Sequence, residues 1–184
     1  MQKAIFLDRD GTLNVDEGYT FQVEKYELLP GVIEGLKRLQ DAGFLLLILT
    51  SQSGIGRGKY TEADYARYRD HMLADFAKNG ISIAGVFYCP HHPDKTCECR
   101  KPKPGLVNQA EAACGPFDYA KSWSLADGVR DNEMCKNKNA QIRTILFPKN
   151  FGSRFEEIIQ ERNENIDFVV SNFTEAVDVV LANT

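Results

Sequence analysis

The chain has 184 residues, 43% of them hydrophobic, with a formal net charge of −4 and a pI near 5.4. Length and composition predict one globular domain, residues 1–184, that is able to bury a core. The acidic balance argues against nucleic acid as the main partner, and no apolar run suits a signal peptide or a membrane span. We therefore expect a cytoplasmic protein that binds neither nucleic acid nor a membrane.

The first predicted strand, Ala4–Leu7, is followed directly by two acids. Four consecutive apolar residues are typical of a strand buried on both faces of a parallel sheet. Asp8 and Asp10 then stand at its carboxyl end, where open α/β sheets bind ligands. Residues two apart begin on the same side of a strand, so both carboxylates can face one small site. Considered alone, the doublet is explained about equally well by an ordinary strand-to-turn junction.

Helical patterns and strand-like runs alternate along the rest of the chain. They predict a helix over 31–42, a strand over 44–49, a helix from a capping box at Thr61 to about 79, and a strand over 81–88. After a helix following Pro104, they predict strands over 123–126 and 143–147, a helix over 154–162, a strand over 168–170 and a helix over 174–181. This alternation predicts an α/β protein, a Rossmann-like three-layer sandwich with one parallel sheet.

Polar residues stand where several predicted strands end, namely Asp8, Thr50 and Asp127. Arg100 and Lys101 arrive from the region between them. Because the carboxyl ends of parallel strands share one edge of the sheet, these side chains are expected to converge on one crevice.

The residues in that crevice are suited to phosphoryl chemistry. The two acids of the first strand and a third from Asp127 or Asp131 form an oxygen set suited to Mg²⁺. The Thr50 hydroxyl, backbone N–H groups near residues 51 and 52, and the Lys101 ammonium group would complete the binding shell of a phosphoryl group. Asp8 is the candidate nucleophile and would form an aspartyl-phosphate.

Asp10 is the candidate acid and base for the same reaction. One group must protonate the leaving oxygen and later activate water, and Asp10 is well placed for both steps. Because a metal ion opposes protonation of a carboxylate, we expect the Asp10 side chain to stay outside the inner coordination sphere of the metal.

Four motifs, in order and spacing, resemble those of the haloacid dehalogenase superfamily of phosphatases. They are residues 8–12 (DRDGT), 50–54 (TSQSG), 100–105 (RKPKPG) and Asp127 with Asp131, and the match spans about residues 4–147. Within the superfamily the chain resembles the branch of the heptose 1,7-bisphosphate and histidinol-phosphate phosphatases, which has a zinc-bearing loop and no large cap domain. Segments 14–19 and 52–58 are similar to the heptose enzymes.

The resemblance implies a Mg²⁺-dependent phosphoric monoester hydrolase acting on a small sugar phosphate. The substrate it implies first is the C7 phosphate of D-glycero-D-manno-heptose 1,7-bisphosphate, a precursor of bacterial lipopolysaccharide. It implies Asp8 as nucleophile, Asp10 as acid and base, and Mg²⁺ held by Asp8, the Asp10 main-chain carbonyl and Asp127. It implies phosphate and substrate contacts from Asp16, Glu17, Gly18, Tyr19, Thr50, Ser51, Gln52, Ser53, Arg100 and Lys101.

One further cation is left open by the sequence. Arg57 follows the second motif, so it either reaches a second phosphate or is an ordinary surface residue.

The segment 89–99, called the zinc loop below, has the spacing C-x-H-x5-C-x-C. Its ligand set suits a closed, tetrahedral and structural Zn²⁺ site, which would hold the loop and the two cations after it in place. The set is Cys89, His91, Cys97 and Cys99. His92 is the competing ligand, and the resemblance favours His91. In a reducing compartment the five cysteines are not expected to form disulfides, and Cys114 and Cys135 are interpreted as buried side chains on helices.

Three residues depart from the family's pattern: Ser51 replaces a common Asn, Ala126 a common Gly, and Gly128 a long polar residue such as Lys. Asp127 remains, so metal binding is still expected, while a substrate contact near residue 128 is left open. Two alternatives follow. One is a histidinol-phosphate phosphatase, which the length of the zinc loop favours, and the other is a zinc-stabilised binding module with weakened turnover. No interface stripe is evident, which favours a monomer.

Overall fold

In the computed structural model, which describes residues 1–147 and 163–184, six parallel strands form one sheet in the order β3-β2-β1-β4-β5-β6. The strands are β1 (Ala4–Leu7), β2 (Leu45–Ser51), β3 (Ile83–Cys89), β4 (Trp123–Ala126), β5 (Arg143–Leu146) and β6 (Phe168–Val169). The helices are α1 (Val32–Asp41), α2 (Ser53–Gly56), α3 (Glu62–Lys78), α4 (Gly105–Cys114), α5 (Val129–Lys138) and α6 (Phe173–Ala182).

The first strand lies at the centre of the sheet, where the order of the strands reverses, since β2 and β3 lie on one side and β4, β5 and β6 on the other. β1 pairs with β2 on one side and with β4 on the other, so that Leu7 is in register with both Ile48 and Leu125. Ligands of such sheets bind outside the carboxyl ends of the strands at this reversal of strand order. Asp8 and the ends of β2 and β4 are therefore neighbours.

Apolar residues cover both faces of the sheet and form two cores. Ile5 and Leu7 pack in one core with residues of α1, α3 and α6, whereas Ala4 and Phe6 pack in the other with residues of α4 and α5. Alternate side chains of one strand thus enter opposite layers, as a buried parallel strand requires. This arrangement confirms the expected α/β sandwich, and the described residues contain no large cap domain.

A close contact between two helices joins the C-terminal helix to the amino-terminal half of the chain. A Cβ on Gly35 of α1 would lie 2.7 Å from a ring carbon of Phe173 and 2.9 Å from a methyl of Val177, both on α6. The missing side chain lets α6 pack directly against α1, since well-packed interiors leave no room for an added methyl group.

Most predicted elements are present with small shifts of their ends. The capping box is confirmed, because the Thr61 Oγ1 accepts from the Asp64 N–H at 3.1 Å and Asp64 Oδ2 accepts from the Thr61 N–H at 2.8 Å. The short helix α2 was not predicted. The predicted helix over 154–162 lies outside the described residues.

The expectation for one cysteine was wrong. Cys135 is fully buried, but Cys114 is only half-buried. Cys114 is the last residue of α4 and lies at the edge of the sheet, where its sulfur is 3.6 Å from the Ala84 carbonyl oxygen on the edge strand β3. None of the helices in the two described ranges has the length and apolar character needed to cross a membrane.

Candidate active site

A buried lysine links two carboxylates at the centre of the sheet edge. The Lys101 ammonium group donates to Asp8 Oδ1 at 2.6 Å, to the Leu49 carbonyl at 2.7 Å and to Asp131 Oδ1. Burial alone would lower the pKa of Lys101, but the carboxylates of Asp131 and Asp8 raise it above its ordinary value. Lys101 therefore stays charged and holds Asp8 in place.

The carboxylates at this edge carry more negative charge than Lys101 neutralises. Burial raises the pKa of Asp8 well above its ordinary value; Lys101 opposes this effect, and Asp131, Asp127 and Asp10 add to it. Burial, followed by the charge of Asp131, raises the pKa of Asp127 to about 7. A set of crowded oxygen donors with excess negative charge fits a hard divalent cation such as Mg²⁺. Asp8, the Asp10 carbonyl and Asp127 are the residues that would hold it.

Gly11 allows Asp127 to approach the first strand. Its φ is +79°, and a Cβ at this position would lie only 2.1 Å from Asp127 Oδ2. The Thr12 hydroxyl accepts a hydrogen bond from the Asp127 N–H at 3.1 Å. A glycine is required here both by the backbone conformation and by the neighbouring carboxylate.

The Asp10 carboxylate is held by three neighbours. Arg9 donates to both of its oxygens, from Nε at 3.0 Å and from Nη2 at 2.8 Å. Asn14 donates to Oδ1 at 3.1 Å, and Gln52 to Oδ2 at 2.9 Å. The nearest charged partner of Asp10 is thus the buried guanidinium group of Arg9, whose carbon lies 4.8 Å from the centre of the Tyr68 ring. Both carboxylate oxygens are engaged by these donors, which agrees with an Asp10 side chain outside the metal's inner coordination sphere.

The four cysteine and histidine ligands of the zinc loop lie together. Their ligand atoms are all within 4.8 Å of one another, with 3.7 Å between the sulfurs of Cys89 and Cys97 and 3.2 Å between the Cys99 sulfur and His91 Nδ1. Zn–S bonds of about 2.3 Å in a tetrahedron place two sulfurs about 3.8 Å apart, so the set fits Zn²⁺. His92 instead lies against Asp94, whose N–H donates to its Nδ1 at 3.2 Å.

The zinc loop is connected to the residues that follow it. Arg100 Nη2 donates to the His91 carbonyl oxygen. Close backbone contacts also hold the loop, because a Cβ on Gly105 would lie 2.1 Å from the Glu98 carbonyl oxygen and one on Gly56 2.2 Å from the His92 nitrogen. The position of Arg100 and Lys101 therefore depends on the conformation of this loop.

Two cavities open at this edge of the sheet. The first, of about 240 Å³, is called the strand-edge cavity and is lined by Asp8, Asp10, Thr50, Ser51, Arg100, Lys101, Arg130 and Asp131. The second, also about 240 Å³, is called the hydroxyl cavity and is lined by Asp10, Asp16, Gly18, Tyr19, Thr20, Ser51, Gln52, Ser53, Gly54 and Tyr60. They share Asp10 and Ser51, so one small ligand can occupy both.

Two of the residues proposed from the sequence lie elsewhere. Glu17 lines a neighbouring cavity of about 450 Å³, which shares Gly18, Tyr19 and Thr20 with the hydroxyl cavity, and it faces Lys25, with 3.6 Å between the charged atoms. Arg57 is exposed just after α2 and lines neither the strand-edge cavity nor the hydroxyl cavity.

Four residues of this region were not predicted: Arg9, Asn14, Tyr60 and Arg130. Tyr60 donates from its hydroxyl group to Gln52 Oε1 at 2.6 Å and so orients the amide that contacts Asp10. For Arg9 the sequence contained one indication, namely its position as a cation between two acids. Nothing in the spacing indicated the others, because only the fold brings Asn14 and Tyr60 to their partners Asp10 and Gln52 and places Arg130 on the cavity wall.

Known proteins are similar in sequence to most of this chain. Residues 3–156 match the family model described as Polynucleotide kinase 3 phosphatase. The chain is 38% identical over 150 residues to the D-glycero-beta-D-manno-heptose-1,7-bisphosphate 7-phosphatase of Yersinia pestis, which covers 78% of this chain and 79% of the relative. The corresponding protein of Escherichia coli strain K12 is 37% identical over 150 residues, 78% of each chain. The chain belongs to the heptose bisphosphate phosphatase family of the haloacid dehalogenase superfamily.

A solved structure of this heptose bisphosphate phosphatase family has the same fold. The D,D-heptose 1.7-bisphosphate phosphatase of B. bronchiseptica, complexed with magnesium and phosphate, superposes with a TM-score of 0.82 at 28% identity and covers 99% of both chains. The enzyme from Burkholderia thailandensis, at 23% identity and a TM-score of 0.68, supports the fold alone.

Proposed function

We propose that the protein is a Mg²⁺-dependent phosphatase that removes the C7 phosphate of D-glycero-β-D-manno-heptose 1,7-bisphosphate during synthesis of lipopolysaccharide precursors. The observation that carries this proposal is the buried Lys101 shared by Asp8 and Asp131 at the wall of the strand-edge cavity, in a chain of this family. It supplies an immobilised carboxylate nucleophile next to a cation.

The reaction proceeds in two displacements at phosphorus. An oxygen of Asp8 attacks the phosphorus, the bond from phosphorus to the sugar oxygen breaks, and Asp10 gives its proton to that oxygen. Asp10 then takes a proton from water, which attacks the aspartyl-phosphate and releases inorganic phosphate while restoring Asp8. When bound, Mg²⁺ neutralises charge on the phosphoryl oxygens.

The remaining predicted residues receive roles according to the cavity that they line. Those on the strand-edge cavity would bind the reacting phosphoryl group; they are Thr50, Ser51, Arg100 and Lys101. Those on the hydroxyl cavity would bind the sugar; they are Asp16, Gly18, Tyr19, Gln52 and Ser53. Glu17 and Arg57 lie outside both walls, so any contact of theirs with substrate would be peripheral.

Location and assembly are part of the proposal. The five cysteines are free thiols, and three of them, Cys89, Cys97 and Cys99, lie with His91 in the zinc loop. Free thiols suit the reducing cytoplasm. The exposed large hydrophobic residues among those described are Met1, Tyr19 and Val169, which are far apart in the sequence. Scattered residues of this kind favour a monomer.

Phosphate release with Mg²⁺ from a substrate panel tests the function. The panel contains both anomers of the heptose bisphosphate, histidinol phosphate and a 3′-phosphorylated oligonucleotide. We expect preference for the heptose bisphosphate, loss of release to background in Asp8→Asn, and wild-type rates in the control Asp178→Asn, a surface acid paired with Arg38. Preference for histidinol phosphate would overturn the substrate, and an inert wild type or an active Asp8→Asn would overturn the catalytic proposal in favour of a binding module.

A further inference from the structure

A further cavity, called the basic cavity, adjoins the strand-edge cavity. It has a volume of about 250 Å³ and shares Arg100, Lys101 and Arg130 with the strand-edge cavity. Its other charged residues are Lys95, Lys103 and Asp94. Among the described residues, five cations against one acid make this cavity suited to an anion, whereas two acids and no cation line the hydroxyl cavity.

Arg130 occupies a position that is unfavourable for a cation on its own helix. It is the second residue of α5, where the helix dipole favours negative charge. Its side chain is exposed and makes no hydrogen bond or ion pair with any residue in the described ranges. Asp131, the acid in the same turn, is already bound to Lys101. The guanidinium group and the start of the helix thus both favour an anion, and no side chain of the described residues is bound to Arg130.

Arg100 also has an unused donor beside Arg130. Its Nη2 is bound to the His91 carbonyl, but its Nε is buried and has no hydrogen-bond partner among the described residues. Buried donors of this kind are costly unless a ligand or water satisfies them. Of the shared cations, Lys101 is committed to Asp8 and Asp131, which leaves the two arginines for a ligand.

We propose that Arg130 binds the second phosphate of a bisphosphorylated sugar while its first phosphate lies at Asp8, with the free Nε donor of Arg100 between the two phosphates. This inference rests on the proposed function and assigns Arg130 as a specificity-determining residue. Guanidinium groups bind phosphate through paired charged hydrogen bonds, which suits a dianion at the junction of the two cavities. Gly128, directly before α5, offers no side chain for this contact.

Kinetics with a bisphosphate and the matching monophosphate test this assignment. The substrates are heptose 1,7-bisphosphate and heptose 7-phosphate, and the variants are Arg130→Gln, Arg130→Lys and the control Arg67→Gln, an exposed arginine of α3 paired with Asp64. For Arg130→Gln we expect kcat/KM on the bisphosphate to fall about ten- to a hundredfold, mainly through KM, since one charged hydrogen bond is lost. On the monophosphate the same variant should match the wild type, and Arg130→Lys should recover part of the loss.

Binding provides a second comparison that requires no turnover. In the Asp8→Asn background, calorimetric titration should show a lower affinity for the bisphosphate when Arg130→Gln is added. The affinity for the monophosphate should not change. Equal effects on both ligands, or no effect on the bisphosphate, would overturn the role of Arg130. A wild type that hydrolyses neither substrate would instead overturn the proposed function, so the two failures are distinguishable.

Discussion

The assignment of individual acids depends on a single lysine. Asp127 and Asp131 were both candidates for the third metal ligand when only their spacing was known. In the structure Asp131 accepts from Lys101, while Asp127 lies against Gly11. Three buried charged groups, Asp8, Lys101 and Asp131, thus compensate one another, because an isolated buried charge is strongly unfavourable.

Replacement of Lys101 by Met tests this compensation. We expect kcat to fall about 10²–10³-fold, the usual cost of removing one electrostatic donor from an active site. We also expect the free energy of unfolding to fall by about 3–5 kcal/mol, because Asp8 and Asp131 lose their shared cation. Steady-state kinetics and urea unfolding measure the two effects.

Lys103→Met is the matched control for this variant. Lys103 is in the same segment but is exposed and paired with Glu98 at 2.9 Å, and exposed ion pairs contribute little. Wild-type kcat and stability are expected. Equal losses in both variants would show that the segment as a whole, and not the charge of Lys101, is responsible.

At the scale of elements, the zinc loop connects a metal site to the active site. It contributes few apolar residues, so its conformation depends on its ligands and on close backbone contacts such as Gly56 with His92. Arg100 follows the last ligand directly and donates to the His91 carbonyl. A metal bound by four protein ligands would therefore act on catalysis through the placement of Arg100 and Lys101, and not through the reaction itself.

A pair of cysteine variants separates this role from general thiol chemistry. Cys97→Ser should reduce bound zinc from about one atom per chain to near zero, and should lower phosphatase activity by at least about tenfold, since even outer partners of a metal site cost that much. Cys114→Ser, whose sulfur is half-buried and outside the cluster, should retain both zinc and activity. Metal analysis and kinetics of the two purified variants provide the comparison. Full zinc content in Cys97→Ser would contradict the ligand assignment.

At the scale of the whole molecule, the central position of β1 places the site. Because β2 and β4 flank β1, one edge of the sheet receives residues from the beginning, the middle and the later part of the chain. The contact of α6 with α1 near Gly35 then joins the carboxyl terminus to the amino-terminal half. We propose on this basis that the chain is one domain that unfolds cooperatively.

Equilibrium unfolding of the metal-loaded protein tests the single domain. Trp123, the one tryptophan of the chain, lies buried in β4, so its fluorescence reports on the sheet, whereas far-UV circular dichroism reports mainly on the helices. Coincident transitions by both probes, and a mass near 20.7 kDa by light scattering, are expected for one domain and a monomer. Separate transitions would show two units, and a doubled mass would show a dimer.

The sequence by itself determined the alternating elements, the order of the four motifs and the spacing of the zinc ligands. These are local properties, since hydrophobic periodicity and ligand spacing depend on residues that lie close together in the sequence. Only the tertiary structure decided that Asp131 binds Lys101, that Arg9 holds Asp10 and that Arg130 lines the strand-edge cavity. Such contacts depend on which strands lie side by side and on where each side chain points, and neither is determined by spacing along the chain.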